Sequence, residues 1–294
     1  MGVTLIGARG TGPNLHEGRG GWTVNDYATA GRTYFKFTVS GVTVAPAINS
    51  TTYTNNGNTY TVQEYDLTAG AGTYICSVSP LDAAPTASGT LTKASGVGDA
   101  TVTFSASEAL SGNPFWIGGG VDFGQYLTNN GFAAPDVVFI GLGINDCFGQ
   151  TSDTAASDTA DVAFAKLDAL IASIKTADAG TKVGIMIPSP PSSDQDSFGA
   201  NYTTGQTRWR FKRNILIWAR QLIAKYSGQE ASRIYIVPSN VALDTVNNMN
   251  RASAAPVNSR SAITVQRQNN GVHPESTGYQ QIGDALWAFL KFYA

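Results

Sequence analysis

The chain has 294 residues, 19 Lys and Arg against 21 Asp and Glu, a net charge of −2 and only 14% charged residues. A chain of this length buries roughly 70–75% of its extended surface on folding, so it can build a sizeable core without disulfide or metal staples. The slightly acidic charge balance excludes a protein that grips nucleic acid by neutralising phosphates across a basic face.

Few charges and plentiful Gly, Thr, Ser, Asn and Ala read as an extracellular-style or β-rich surface more than a cytosolic helical one. Cys76 and Cys147 fall in different modules and imply neither a disulfide framework nor a metal knuckle. No apolar run approaches the ~20 residues of a membrane helix. The N-terminal residues show no secretory h-region, and Ile6 is at odds with a myristoylation signal at Met1-Gly2.

The first predicted element is a short strand at residues 3–6, ending in the turn Gly7-Ala-Arg-Gly10. A glycine-rich turn follows, Leu15-His16-Glu17-Gly18-Arg19-Gly20-Gly21-Trp22-Thr23. Its main-chain N–H groups could face an anion, or its glycines could serve backbone conformation alone. His16-Glu17 lacks a second histidine at metal spacing, so no metal site or cofactor is expected.

Residues 35–111 hold seven charged residues, no arginine and no helical period, but many alternating Thr, Tyr and Val positions. They predict an inserted β-rich module. Thr51-Thr-Tyr-Thr and Thr59-Tyr-Thr-Val flank Asn55-Asn-Gly-Asn58, where Asn-Gly supplies the positive φ angles of a tight hairpin. Gly98-Asp99 marks a second turn.

From residue 112 the pattern changes to short β-branched runs alternating with helical periods. Strands are predicted at 137–142, 182–188 and 233–238, each bounded by Pro or Gly. Helices are predicted at 161–176, 207–226 and 276–292. This alternation implies an α/β domain of residues 1–34 and 112–294, a parallel sheet flanked by helices, interrupted by the module at 35–111.

Two segments in this domain can carry chemistry. At the carboxyl end of the 137–142 strand the chain reads Gly141-Leu-Gly143-Ile-Asn145-Asp146, and ligands of open α/β sheets bind at such strand ends. The Asn145 amide can donate to a developing oxyanion, or Asn145 and Asp146 can simply cap the turn. Gly271-Val-His273-Pro274 precedes the last helix and carries one of two histidines. His273 is placed as a general base there, though a lone histidine can equally be structural.

In order and in placement relative to the strands, the three segments resemble the blocks of the SGNH, or GDSL, hydrolase family of serine esterases. The resemblance covers residues 1–34 and 112–294 and implies a three-layer flavodoxin-like sheet. It also implies Gly21 and Asn145 as oxyanion-hole donors and His273 as base. The segments Pro188-Ser-Pro-Pro191 and Gly278-Tyr-Gln-Gln-Ile282 are similar to long SGNH domains of bacterial or phage origin, some of which bear a β-rich insertion. Two departures stand out. The family's Gly-Asp-Ser block is nowhere in the chain, which has no serine before Ser40, and Asn270 occupies the position of the family's aspartate. An asparagine accepts a hydrogen bond from imidazole but brings no charge to stabilise the imidazolium. Glu17 and Asp244 are alternative partners for His273.

The resulting expectation is an ester hydrolase acting through a serine acyl-enzyme on a small ester or an acylated glycan, acetyl being the family's habit. The nucleophile would come from a segment upstream of Met1 or from a separate chain. The alternative is a catalytically degenerate domain that binds glycan through the old cleft or the β-rich module, where Tyr53, Tyr60, Tyr65 and Tyr74 could stack on sugar rings or, at their alternating spacing, pack the sheet. A third reading, Arg208-Trp-Arg-Phe-Lys-Arg213 as a nucleic-acid contact, competes with a solvated helix face on which Trp209 packs inward. Neither nucleic acid nor membrane is expected as a partner.

Overall fold

The computed structural model describes residues 3–9, 15–79, 83–194, 197–198, 206–256, 258 and 260–293. Met1, Gly2 and Gly10, which figured in the N-terminal expectations, lie outside them. The chain divides into two compact units, one formed by residues 26–121 and the other by 1–25 with 122–294.

After the short helix α1 (Val24–Ala28), the smaller unit is built from β1 (Thr33–Ser40), β2 (Thr52–Asn55), β3 (Asn58–Thr68), β4 (Ala71–Ser79), β5 (Gly89–Ser95) and β6 (Thr101–Ser111). These six strands close into an antiparallel barrel in the order β1-β4-β3-β2-β5-β6. The Asn-Gly turn forms between β2 and β3, with φ of 51° at Asn56 and 75° at Gly57. The pairing slips once between Thr38 and Val39 and once between Val62 and Glu64, irregularities of the kind that let a small sheet bend until it closes. Alternate residues turn inward. Phe37 sits edge-on to Tyr60 and Phe104, with ring centroids 5.2 Å and 5.0 Å away, so the interior is a packed core rather than a channel. Two short strands, β7 (Trp116–Ile117) and β8 (Gly120–Val121), complete the unit.

Tyr53, Tyr60 and Tyr74 are fully buried in this barrel, and only Tyr65 is exposed. Of the two readings of these rings, barrel closure makes three of them sheet packing and leaves Tyr65 outside.

In the larger unit, α2 (Phe123–Asn130), β9 (Val137–Ile140), α3 (Asp153–Ala177), β10 (Lys182–Met186), α4 (Arg208–Tyr226), β11 (Ile234–Val237) and α5 (Ser276–Tyr293) follow in chain order, with a two-stranded ribbon, β12 (Arg251–Ala254) and β13 (Val265–Gln268), before α5. Side-chain caps start three of the helices: Asp122 accepts from Gln125 N, Ser152 from Ala155 N and Thr207 from Arg210 N. Helices α3 and α4 pack through Phe164 against Trp218 (4.7 Å). Phe289 of α5 covers Phe139 and Tyr235 of the sheet, at 5.4 Å and 5.5 Å.

The fold class needs correction. The three predicted strands form and are parallel, in the order β11-β10-β9, but the sheet stops there. The flavodoxin-like parallel sheet is not formed, and the larger sheet of the molecule is the closed antiparallel barrel. The expected strand at 3–6 makes no ladder. Its chain turns back on itself instead: Arg9 and His16 form an isolated bridge, and Gly7 lies so close to the His16 backbone that a Cβ would come within 2.5 Å of it. Val3 and Leu5 are left 47% and 48% exposed.

Trp209 likewise lies outside, 65% exposed, with the Arg208 guanidinium over its ring at 3.8 Å. Phe211 is the aromatic that packs inward. Arg210 and Arg213 are both paired with Asp153 at the start of α3, at 2.7 Å and 2.6 Å, which leaves the basic run engaged within the protein.

Candidate active site

Immediately after β9 the chain must turn sharply and still pack, and Gly143 permits both. Its φ is 113°, and a Cβ there would lie 2.5 Å from the Trp218 indole. The turn presents Asn145 and Asp146 to the segment 22–24. Asn145 Nδ2 donates to the Trp22 carbonyl at 2.9 Å. The buried Asp146 carboxylate accepts from Val24 N at 3.2 and 3.3 Å, meeting the first N–H of α1. The two residues therefore clamp a distant segment instead of only capping their own turn.

That segment carries Gly21, at φ 75°, where a side chain would be strained. Its neighbours are fixed by a polar cluster. Arg19 pairs with Glu17 at 3.1 Å, both largely buried, and lies over the Trp22 ring at 5.3 Å. Glu17 also accepts from Ala8 N at 2.6 Å and from the Tyr126 hydroxyl. Burial, reinforced by that carboxylate, pushes the Tyr126 phenol well above its usual range. His16 Nδ1 accepts from Gly18 N at 2.9 Å, a local turn contact.

His273 stands at the entry to α5 with its side chain exposed. Asn270 Oδ1 accepts the main-chain N–H of Val272 (3.0 Å) and of His273 (2.8 Å). Asn270 thus holds the backbone at His273. The ring itself meets a different group: Nδ1 lies 3.3 Å from the Tyr279 hydroxyl. Asn250 Nδ2 donates to the carbonyls of His273 (2.9 Å) and Pro274 (3.1 Å), fastening the loop from the other side. The alternative acids are engaged elsewhere, Glu17 as above and Asp244 with Val246 N, Asn247 N and Asn247 Nδ2. Those bonds, Asn247's first, hold the Asp244 carboxyl below the usual carboxylate range.

The structure thus brings Gly21 to Asn145 through Trp22, and Asn270 to His273. Aromatic packing runs between the two pairs. Phe148, three residues after Asn145, stacks on Phe211 at 4.4 Å, and Phe211 meets Phe198 at 5.7 Å. Phe198 covers Gly271, where a Cβ would come within 2.7 Å of its ring. Among the described residues no serine is hydrogen-bonded to the His273 ring, and Ser192 and Ser197 are buried against each other at 2.5 Å.

Tyr279 and Arg19 were not singled out from sequence as site residues, and Glu17, expected as an alternative partner of His273, is engaged with Arg19 and Tyr126 instead. Tyr279 had one usable signal: it falls one turn inside a helix that starts just after His273, and helical side chains lean toward the N-terminus. Among the described residues no cluster of His, Cys, Asp and Glu could hold a metal ion, and no helix is long and apolar enough to cross a membrane.

No known family's sequence model matches the chain, and no curated protein does. Among solved structures it is similar to a Streptococcus pneumonia protein provisionally described as a platelet activating factor, with 17% identity and a TM-score of 0.37 over 57% of this chain and 67% of that one. It is also similar to a peptidoglycan O-acetylesterase, with 13% identity and a TM-score of 0.31 over 90% of this chain and 65% of that one. Neither similarity defines the family or the reaction.

Proposed function

We propose that this chain provides the oxyanion and base side of a serine ester hydrolase. The observation that carries the reading is the Asn145 Nδ2 to Trp22 O bond, which ties the Asn145 amide to the residue that follows Gly21. An amide has two N–H bonds; one is used to hold the loop, and the second is the donor offered to substrate.

In this reaction a serine Oγ attacks the ester carbonyl while His273 Nε2 takes its proton. The oxyanion is stabilised by Gly21 N–H and Asn145 Nδ2–H. Collapse expels the alcohol, protonated by His273, and leaves an acyl-serine. Water then attacks with His273 again as base, and the carboxylic acid leaves as serine is reprotonated. The serine comes from a segment outside residues 1–294 or from a separate chain. What motivates that assignment is that the chain contains no Gly-Asp-Ser. A small acyl group such as acetyl, on a simple ester or a carbohydrate, is the proposed substrate.

Labelling with a fluorophosphonate, read by intact mass and peptide mapping, tests this on the 294-residue chain beside a form extended upstream. Labelling of the extended form alone supports the reading. Labelling of the 294-residue chain moves the nucleophile to a serine inside it, and labelling of neither overturns the reading.

A further inference from the structure

In a serine–histidine site something must hold the imidazole in the tautomer that leaves Nε2 unprotonated. Asn270 stands where that group is expected, but its carbonyl oxygen, with two lone pairs, already accepts two main-chain N–H groups at 2.8 and 3.0 Å. The group that faces Nδ1 is the Tyr279 hydroxyl at 3.3 Å.

We infer that Tyr279 is the positioning residue of His273: its hydroxyl oxygen accepts Nδ1–H, so that Nε2 is the bare nitrogen. The contact between the Tyr279 hydroxyl and Nδ1 stands without the ester-hydrolase reading; the direction of the bond, and with it the tautomer, rests on that reading.

The local fold supports the assignment. Tyr279 lies in the first turn of α5, and its predecessor Gly278 is pressed against the preceding loop, where a Cβ would lie 2.5 Å from Asn248 O and 2.6 Å from the Pro274 ring. Glu275 N also donates to Asn248 O at 3.1 Å. The start of the helix is thereby fixed against the chain that carries His273, and Asn250 fixes that chain in turn. Tyr279 is 52% exposed, so its own O–H proton can be given to water while a lone pair faces the ring. Desolvation raises its pKa, so the hydroxyl is neutral at pH 7.

The experiment is histidine ¹⁵N NMR of the intact chain at a pH where the rings are neutral. There are two histidines, and His16 is a built-in reference: its Nδ1 accepts from Gly18 N–H, so it reports the Nε2–H form. For His273 the Nδ1–H form is expected to dominate. Tyr279→Phe keeps the ring and removes the hydroxyl, and should lower the His273 tautomer ratio about fivefold, the size of one ordinary neutral hydrogen bond, with His16 unmoved. A dominant Nε2–H form in the unsubstituted protein, or a ratio that ignores Tyr279→Phe, overturns the assignment. A responsive tautomer in a protein that no fluorophosphonate labels, with or without the upstream segment, would leave Tyr279's role standing and remove the esterase reading instead.

Discussion

Asn145 and Trp22 are joined by a 2.9 Å side-chain to main-chain hydrogen bond across 123 positions of sequence. With the Asp146 carboxylate on Val24 N, it fixes the glycine turn at 20–21 relative to the end of β9. The site's geometry depends on this clamp more than on either segment alone.

Asn145→Ala should therefore have two separable effects. Losing the bond to Trp22 costs about 1 kcal/mol of stability. If Asn145 is the proposed oxyanion donor, its loss lowers kcat about 10²–10³-fold in a form that carries the serine, with KM for a p-nitrophenyl ester little changed. Unchanged kcat would remove Asn145 from the oxyanion hole while leaving its structural role intact.

Gly143 and Gly149 allow a controlled comparison. Both have positive φ, 113° and 79°, but a Cβ at Gly143 meets the Trp218 indole whereas Gly149 faces open space. Gly149→Ala should cost about 1 kcal/mol, from backbone strain. Gly143→Ala adds overpacking to strain and should cost about 2–5 kcal/mol. Urea midpoints of the two variants measure the difference, and equal midpoints would show that the indole yields.

Asp153 predicts a pH dependence. Its hydrogen bonds to Arg213 and then Arg210 lower its folded pKa. The stabilisation is present above the unfolded value, about 3.9, and is lost as pH falls through the depressed folded value. Asp153→Asn should narrow the gap between urea midpoints at pH 7 and pH 3. The pair is solvent-exposed, so the effect is small and shrinks in salt.

Cys76 and Cys147 are buried, and burial pushes both thiols far above their usual range. Neither should react with a disulfide reagent at pH 8 in the native protein, and both should react in guanidinium. Rapid native labelling of one thiol would reveal local opening of the unit that holds it.

Much of the secondary structure was readable from residue pattern. The runs Val137 to Ile140 and Ile234 to Val237 are β-branched or aromatic and bounded by Pro or Gly, and Asn56-Gly57 can hardly do anything but turn. What the pattern could not supply was partnership. Val3 to Ile6 has strand composition, yet the neighbouring Arg9–His16 bridge folds the chain away from the sheet. Alternation along the Tyr-rich strands showed that one face would be buried, but only closure of the barrel decided that Tyr53, Tyr60 and Tyr74 lie on it. Gly21, Asn145, Asn270 and His273 could be picked out from short motifs because each motif is contiguous. Tyr279 and the Glu17–Arg19–Trp22 cluster depend on where a helix begins and on a buried ion pair, which spacing alone does not specify.

The larger unit is discontinuous in the chain, and this sets an order of events during synthesis. All pairings of the barrel lie between Thr33 and Ser111, so its strands leave the ribosome before Asn145 does. Residues 15–25 leave the ribosome first but have no Asn145 or Asp146 to receive them until well after the barrel strands have emerged, at the ~5–20 residues per second of translation. The glycine turn that the site requires is therefore made early and fixed late, and it stays open to proteases and chaperones in the interval.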